Sequence, residues 1–163
     1  MKQSIAVLIT CHNRKAKTLA CLDALYNANL PDNLEMDVFL VDDGSTDGTY
    51  EAIKSMFSDV NLIKGSGNLF WAGGIRLAWE TALKNHDFNY FLLLNDDVIL
   101  FPDYFSNIQL IINTPNSDNS LYSAATIDQE TNEITYGALK VKRKYPFPKY
   151  EKLYPNGQLQ ECD

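Results

Sequence analysis

Three short stretches of this 163-residue chain carry residue types that can do chemistry. "FLLLNDDVIL" sets Asn95, Asp96 and Asp97 inside an otherwise apolar run. "VDDGSTDGT" sets Asp42 and Asp43 before a turn at Gly44, and "TCHNR" follows another apolar run with Thr10, Cys11, His12 and Asn13. Adjacent carboxylates in an apolar segment are costly unless a cation or a hydrogen-bonded ligand offsets their charge. Such a pair supplies hard oxygen ligands for Mg2+ or Mn2+, which share them with phosphates. A carboxylate at a strand end can also accept hydrogen bonds from a base N–H or a ribose hydroxyl. A fourth stretch, "GNLFWAGG", offers backbone N–H groups at a helix start, a suitable neighbour for a diphosphate. No Gly-Lys-Ser/Thr follows it, and its glycine spacing is not that of a dinucleotide fingerprint.

The elements that must position these residues follow from periodicity. "SIAVLIT" reads as a strand, and "AKTLACLDALYNAN" puts Leu19, Leu22, Leu25 and Tyr26 on one helical stripe. "MDVFLVD" is a second strand, and Asp47 is the expected N-cap of a helix through "GTYEAIKSMF". "VNLIK" is a third, short strand, followed by a helix through "IRLAWETALKN" with Ile75, Ala78, Trp79 and Ala82 turned inward. Trp71 falls in the loop before that helix. "YFLLLN" is apolar on both faces, which predicts a strand in the middle of a covered parallel sheet. Pro102 fits the first turn of a helix through "DYFSNIQLIIN". "LYSAATI" reads as a further strand, with a hairpin around "DQETNEITYGAL". The β-α-β-α order predicts an α/β protein built on an open, mostly parallel sheet. Ligands of such sheets bind outside the carboxyl ends of the strands, where the strand order reverses, so the three polar strand ends are expected to converge.

Bulk properties narrow the function. The net charge of −7 argues against nucleic acid as a partner, because phosphate-backbone affinity needs clustered Lys and Arg. A small anionic ligand stays open, since a bound cation inverts the local electrostatics. The three cysteines, Cys11, Cys21 and Cys162, have no metal-ligand spacing and are odd in number, which suits reduced thiols in a cytosolic compartment. Cys11 beside His12 is not a nucleophile–base pair, because neighbours in an extended segment point to opposite faces. No apolar run approaches the ~20 residues needed to span a bilayer. The opening "MKQSIAVLIT" runs into "CHNR" without a small-residue cleavage site, so it is a strand rather than a signal sequence. Residues 140–152 hold six of the fourteen Lys and Arg residues and a single acid, Glu151. This is either a solvated segment or a contact for an anionic acceptor or membrane surface.

The ordered set "AVLITCHNR", "VDDGSTDGT", "GNLFWAGG" and "LLLNDDV" resembles family 2 glycosyltransferases, inverting enzymes that use nucleotide-diphospho-sugars. The resemblance covers about residues 4 to 125. "GNLFWAGG" is similar to the "N-x-G-x-AGG" stretch of rhamnosyltransferase-like members, with Phe70 where that pattern has glycine. The resemblance implies a Rossmann-like three-layer α/β/α sandwich of the nucleotide-diphospho-sugar transferase A type. It implies a UDP- or dTDP-linked sugar donor, a saccharide or lipid-linked saccharide acceptor, a divalent metal, and a role in polysaccharide or glycoconjugate synthesis. A cytoplasmic location follows, at the inner membrane face if residues 140–152 touch lipid. Thr10, His12 and Asn13 are implied near the base, with Asp43 accepting from the base N–H and Asp42 supporting the turn at Gly44. Asn68, Trp71, Gly73 and Gly74 are implied in the donor loop. Asp96 is implied near the ribose or diphosphate, and Asp97 as the metal ligand, assisted by Asp96. Asn95 stands at the first position of the family's Asp-x-Asp motif.

In such enzymes a carboxylate acts as general base on the acceptor hydroxyl. Glu130 and Glu133 lie in turn-rich "DQETNE" and Glu161 and Asp163 at the terminus, so none is a match, and the base is expected beyond Asp163. The expectation is a single domain over 1–163, C-terminally incomplete, with a nucleotide-sugar-binding part over 1–125 and a hairpin beginning the acceptor side over 126–163. Such a chain binds nucleotide and metal with little transfer. The alternative is a non-catalytic nucleotide-sugar-binding or assembly module. A receiver domain would need a phosphorylatable Asp after the third strand, where "VNLIKGSG" has none, and a sugar-phosphate nucleotidyltransferase would need a glycine-rich loop where "CHNRKAK" stands. Trp79 reads as core, and His86 as a structural residue after a helix end.

Overall fold

Residues 3–11 supply a nine-residue run that is buried along nearly its whole length, and the rest of the sheet is built around it. The computed structural model describes residues 2–85, 87–114, 121–128, 130–136, 139–143 and 149–152. His86, Glu161, Cys162 and Asp163 lie outside them. The chain divides into two units, Met1–Gln109 and Leu110–Asp163.

In the first unit, β1 (Gln3–Cys11), β2 (Leu34–Asp42), β3 (Asn61–Lys64) and β4 (Tyr90–Leu93) form a sheet in the order β3-β2-β1-β4. Every pairing is parallel: Val7 sits opposite Val38 on one side and Leu92 on the other, and Val41 opposite Ile63. The chain steps outward from β1 through β2 to β3, then returns to the far side of β1. The reversal therefore falls between β1 and β4, which makes the carboxyl end of β1 the switch point.

Helices α1 (Lys15–Asn27), α2 (Thr49–Met56), α3 (Phe70–Asn85) and α4 (Tyr104–Ile112) alternate with the strands. Side chains alternate across a strand, so β1 and β2 each feed two layers. Ala6, Leu8, Phe39 and Val41 pack with Ile75, Ala78 and Ala82 of α3. The opposite face carries Val7, Ile9, Val38 and Leu40, all buried, and Cys21, Leu22 and Leu25 of α1 and Ile53 of α2 are buried as well. Burial of a side chain of this size is worth about 1.5–3 kcal/mol, so these two stripes account for the long apolar runs in β1 and β2.

Three expectations change. β4 is an edge strand of the described sheet, with Leu93 exposed, because its apolar run is matched by a neighbour on the β1 side only. Trp79 is not core; the residue is 39% exposed, and its ring stacks on Phe91 with centroids 4.9 Å apart. α3 begins at Phe70, so Trp71 lies in its first turn rather than in a loop.

The second unit is described by two antiparallel ribbons. β5 (Thr126–Ile127) pairs β6 (Ile134–Tyr136), the hairpin expected there, while 121–125 form no strand. Its turn is held by Asp128, whose Oδ1 accepts from the Glu130 and Thr131 amides at 3.0 and 2.8 Å, and Glu130 and Glu133 are exposed on it. β7 (Leu139–Arg143) pairs β8 (Lys149–Lys152), so most of the basic stretch forms a ribbon of its own. No described helix is long and apolar enough to cross a membrane.

Candidate active site

The loop between β1 and α1 ties the two acidic segments together. His12 and Asn13 reach the β2 side. The His12 Nδ1–H donates to the Asp43 carbonyl at 2.6 Å, leaving Nε2 to accept from Asn13 Nδ2 at 3.1 Å. Asn13 takes φ of 50°, a left-handed conformation that Asn tolerates, and its Oδ1 accepts from the Thr46 amide at 2.7 Å. Its own amide donates to Ser45 Oγ at 2.9 Å. Arg14, the next residue, reaches the β4 side. Its Nη1 lies 2.9 Å from Asp97 Oδ2 and 3.3 Å from Asp96 Oδ1. Lys17, one turn on, brings Nζ to 3.8 Å from the same Asp97 oxygen.

Asp96 is buried and Asp97 partly open to solvent. Burial pushes the Asp96 carboxyl above its usual range, Arg14 pulls it back, and the Asp97 charge adds to the rise. The same pair, Asp96 first, holds the Arg14 guanidinium more firmly charged. Thr18 Oγ1 stands 3.4 Å from Asp96 Oδ2. Arg14 and Thr18 were not among the residues singled out from sequence. Their partners lie 82 and 78 positions away, beyond any local pattern. One signal was present: three cations at 14, 15 and 17 open a helix with no acid in its first turn, against the preference of the helix dipole.

Asp42 and Asp43 end β2 on opposite faces. Asp43 lies on the α3 side, where Oδ1 accepts from the Gly67 amide at 2.7 Å and Oδ2 from the Leu69 and Phe70 amides at 2.8 and 3.1 Å. The glycine-bearing loop, expected to offer these N–H groups to a diphosphate, gives them to the chain's own carboxylate. Asp43 thereby fills the anion position at the α3 N-terminus. Gly44 closes against this loop: its φ is 76°, and a Cβ there would meet Gly67 Cα at 2.9 Å.

Asp42 is buried on the other face. Its Oδ1 accepts from the Ser45 amide at 2.7 Å, the turn expected of it, while Oδ2 has no hydrogen-bond partner among the described residues. It lines a recess of about 220 Å³ with Ser45, Tyr50, Glu51 and Lys64. A buried carboxylate oxygen left without a donor is costly, so a donor brought to it would be held favourably.

Thr10 is buried beneath α3, where a Cβ on Gly74 would meet its Cβ at 2.7 Å. Gly74 is what lets the helix cross the strand end so closely. Gly73 lies one residue earlier and Asn68 is exposed in the preceding loop. Trp71 is half exposed, and its Nε1–H donates to Asn95 Oδ1 at 2.9 Å, joining the α3 start to the β4 end. Burial, then the charges of Asp42 and Asp96, push the Cys11 thiol far above its ordinary value, so a Cys11 thiolate is disfavoured.

The site therefore holds a buried, unpartnered carboxylate oxygen on the β2 side and a carboxylate pair bridged by Arg14 on the β4 side. A family model, Glycosyl transferase family 2, matches residues 6–161. The chain belongs to this family. Solved structures agree on the fold. S. aureus TarS (residues 1–349) matches with a TM-score of 0.53 and 23% identity over 69% of this chain and 32% of its own. The mannosyltransferase PcManGT from Pyrobaculum calidifontis, in complex with GDP-Man and Mn2+, matches with a TM-score of 0.57 and 23% identity over 71% of this chain and 34% of its own. TarS has also been solved with UDP-GlcNAc. The chain thus spans about a third of the length of these solved neighbours, whose fold it shares over that part. No curated protein sequence matches the chain.

The residues present suit a divalent cation by donor type, since Asp96 and Asp97 supply hard oxygens. No group of three or more His, Cys, Asp or Glu side chains that could hold a metal is assembled among the described residues.

Proposed function

We propose that this chain is the donor-binding part of an inverting glycosyltransferase. It would take a sugar from a UDP- or dTDP-linked donor to a hydroxyl of a saccharide or lipid-linked saccharide. The observation that supports this best is the placement of Asp42 and of Asp96–Asp97 at the carboxyl ends of β2 and β4, on either side of β1. A nucleotide-diphospho-sugar has a base at one end and a charged diphosphate in the middle, so it needs two such stations.

Asp42, rather than Asp43, is the acceptor for the base N–H, because its Oδ2 is the oxygen without a donor. Asp43 shapes the loop. His12, fixed by Asp43 and Asn13, presents its exposed ring beside the base station, and Trp71 presents its indole face near Asn95. Asp97, with Asp96, would hold Mg2+ or Mn2+, which would supply Lewis-acid stabilisation of the departing nucleoside diphosphate. Arg14 and Lys17 add positive charge at the same end. No residue of the described chain is assigned as the general base. A cytoplasmic setting, with the basic residues of 140–152 against an anionic membrane surface, fits a lipid-linked acceptor.

Calorimetric titration of UDP, dTDP and GDP, each with and without Mn2+, tests the reading. Metal-dependent binding that disappears in Asp97→Ala supports it, and the preferred nucleotide narrows the donor. A folded chain that binds none of the three sinks it. Binding without transfer in the longest natural form of the protein favours a nucleotide-sugar-binding module instead.

A further inference from the structure

The Asp96–Asp97 pair already has a counter-ion. Arg14 touches both carboxylates, and Lys17 supplies a second positive charge to the same Asp97 oxygen that Arg14 holds. These cations stand at the amino end of α1, with no acid in the first turn and no side-chain cap on Arg14. The helix dipole disfavours positive charge there. Their position is explained by the carboxylates they face rather than by the helix that carries them. The Arg14 side chain is about half exposed, so it has room to leave without disturbing the core.

We infer that Arg14 is a built-in competitor for the metal position: it occupies Asp97 when the site is empty of donor and must yield that oxygen to a divalent cation. The inference rests on the metal reading of Asp97 given above. Its consequence is that the cation alone binds weakly, because each ion displaces a guanidinium from a 2.9 Å ion pair. A nucleoside diphosphate changes the balance, since its negative charge offers Arg14 a new partner at the moment Asp97 is released. Metal and donor then bind together rather than singly. Their coupling is reciprocal, each raising the affinity of the other by the same factor. Arg14 is in this account a positioning residue, acting on Asp97 rather than on the reacting atoms.

The test uses Mn2+ alone, with free ion counted by its electron paramagnetic resonance signal. The chains are wild type, Arg14→Gln, Arg14→Lys, Lys17→Gln and Asp97→Ala, each checked for folding by circular dichroism. Arg14→Gln is expected to bind Mn2+ roughly tenfold more tightly than wild type, the order expected for a unit charge about 4 Å from a dication when that charge is half exposed and screened by water and salt. Arg14→Lys, which keeps the charge, stays near wild type. Should Arg14→Gln fail to fold, Lys17→Gln carries the test, with a gain of about two- to threefold expected for its longer, more exposed pair. Repeating the titrations with UDP present should show that the nucleotide raises Mn2+ affinity more in wild type than in Arg14→Gln.

Equal or weaker Mn2+ binding by Arg14→Gln, with binding still lost in Asp97→Ala, overturns the inference and leaves the metal reading standing. Equal coupling to UDP in the two chains overturns the exchange of partners. Absence of Mn2+ binding from every folded chain removes the metal reading, and the inference goes with it.

Discussion

Asp42 and Asp43, consecutive at the end of β2, turn their carboxylates to opposite faces of the sheet, one short of a partner and the other accepting three amides. Their substitutions should separate cleanly. Asp43→Ala leaves three N–H groups without an acceptor and is expected to cost roughly 3–5 kcal/mol, read as a shift in urea midpoint. Asp42→Asn keeps the Ser45 turn and removes an unpaired buried charge, so stability holds or rises. Its nucleotide affinity should fall about tenfold, the effect of a lost hydrogen bond to a charged acceptor. If Asp42→Asn binds UDP as wild type does, the base is not read at Asp42.

Gly74 meets Thr10 where α3 crosses the end of β1. Gly74→Ala is expected to destabilise by about 1–3 kcal/mol through overpacking. Thr10→Ala should recover much of that loss in the double variant. Additive effects in a thermal-denaturation cycle would show that the two positions do not press on one another.

Asp47 serves two helix starts, accepting from the Lys15 amide of α1 at 3.0 Å and the Thr49 amide of α2 at 3.1 Å. Hydrogen bonds from Thr49 and then from Lys15 hold its carboxyl below the usual range. A carboxyl lowered on folding contributes stability that is fully present above its unfolded value, about 3.9, and is lost as pH falls through the folded value. Asp47→Asn should therefore be less stable than wild type at neutral pH, with the gap closing below about pH 4. A gap that persists unchanged to pH 2 would rule out this origin.

The two tryptophans are distinguishable. Trp71 is half exposed and bonded to Asn95, whereas Trp79 stacks on Phe91. UDP with Mn2+ should change the emission of wild type and Trp79→Phe but leave Trp71→Phe unaltered. A change retained in Trp71→Phe would place the donor away from the start of α3.

Most of the first unit was legible because its signals are local. The apolar runs of β1 and β2 are properties of consecutive residues, and so is half of the α1 stripe: Leu22 and Leu25 are buried, but Tyr26 is exposed and Thr18 and Cys21 are buried with them. β4 was misplaced because an apolar strand reads alike in the middle of a sheet and at its edge. The positions of the acidic segments were legible, but their partners were not. Arg14 meets Asp97 across 83 positions, and Asp43 meets Leu69 across 26, distances at which composition carries no trace of pairing. The opposite facing of Asp42 and Asp43 was within reach of the sequence, since strand alternation requires it. The strand there runs through Asp42, one residue past the point where the apolar pattern stops.

The single carboxylate of Asp43 holds amides at Gly67, Leu69 and Phe70. This segment has no ladder and no helix of its own before Phe70, yet its three protons share one acceptor group. Release of any one leaves the buried carboxylate with fewer donors, so the three are linked through it. In hydrogen exchange the stretch should open as one cooperative unit, with Gly67, Leu69 and Phe70 exchanging at a common free energy, as foldons do. Irregular backbone next to the donor station is in this way given the all-or-none behaviour of regular structure.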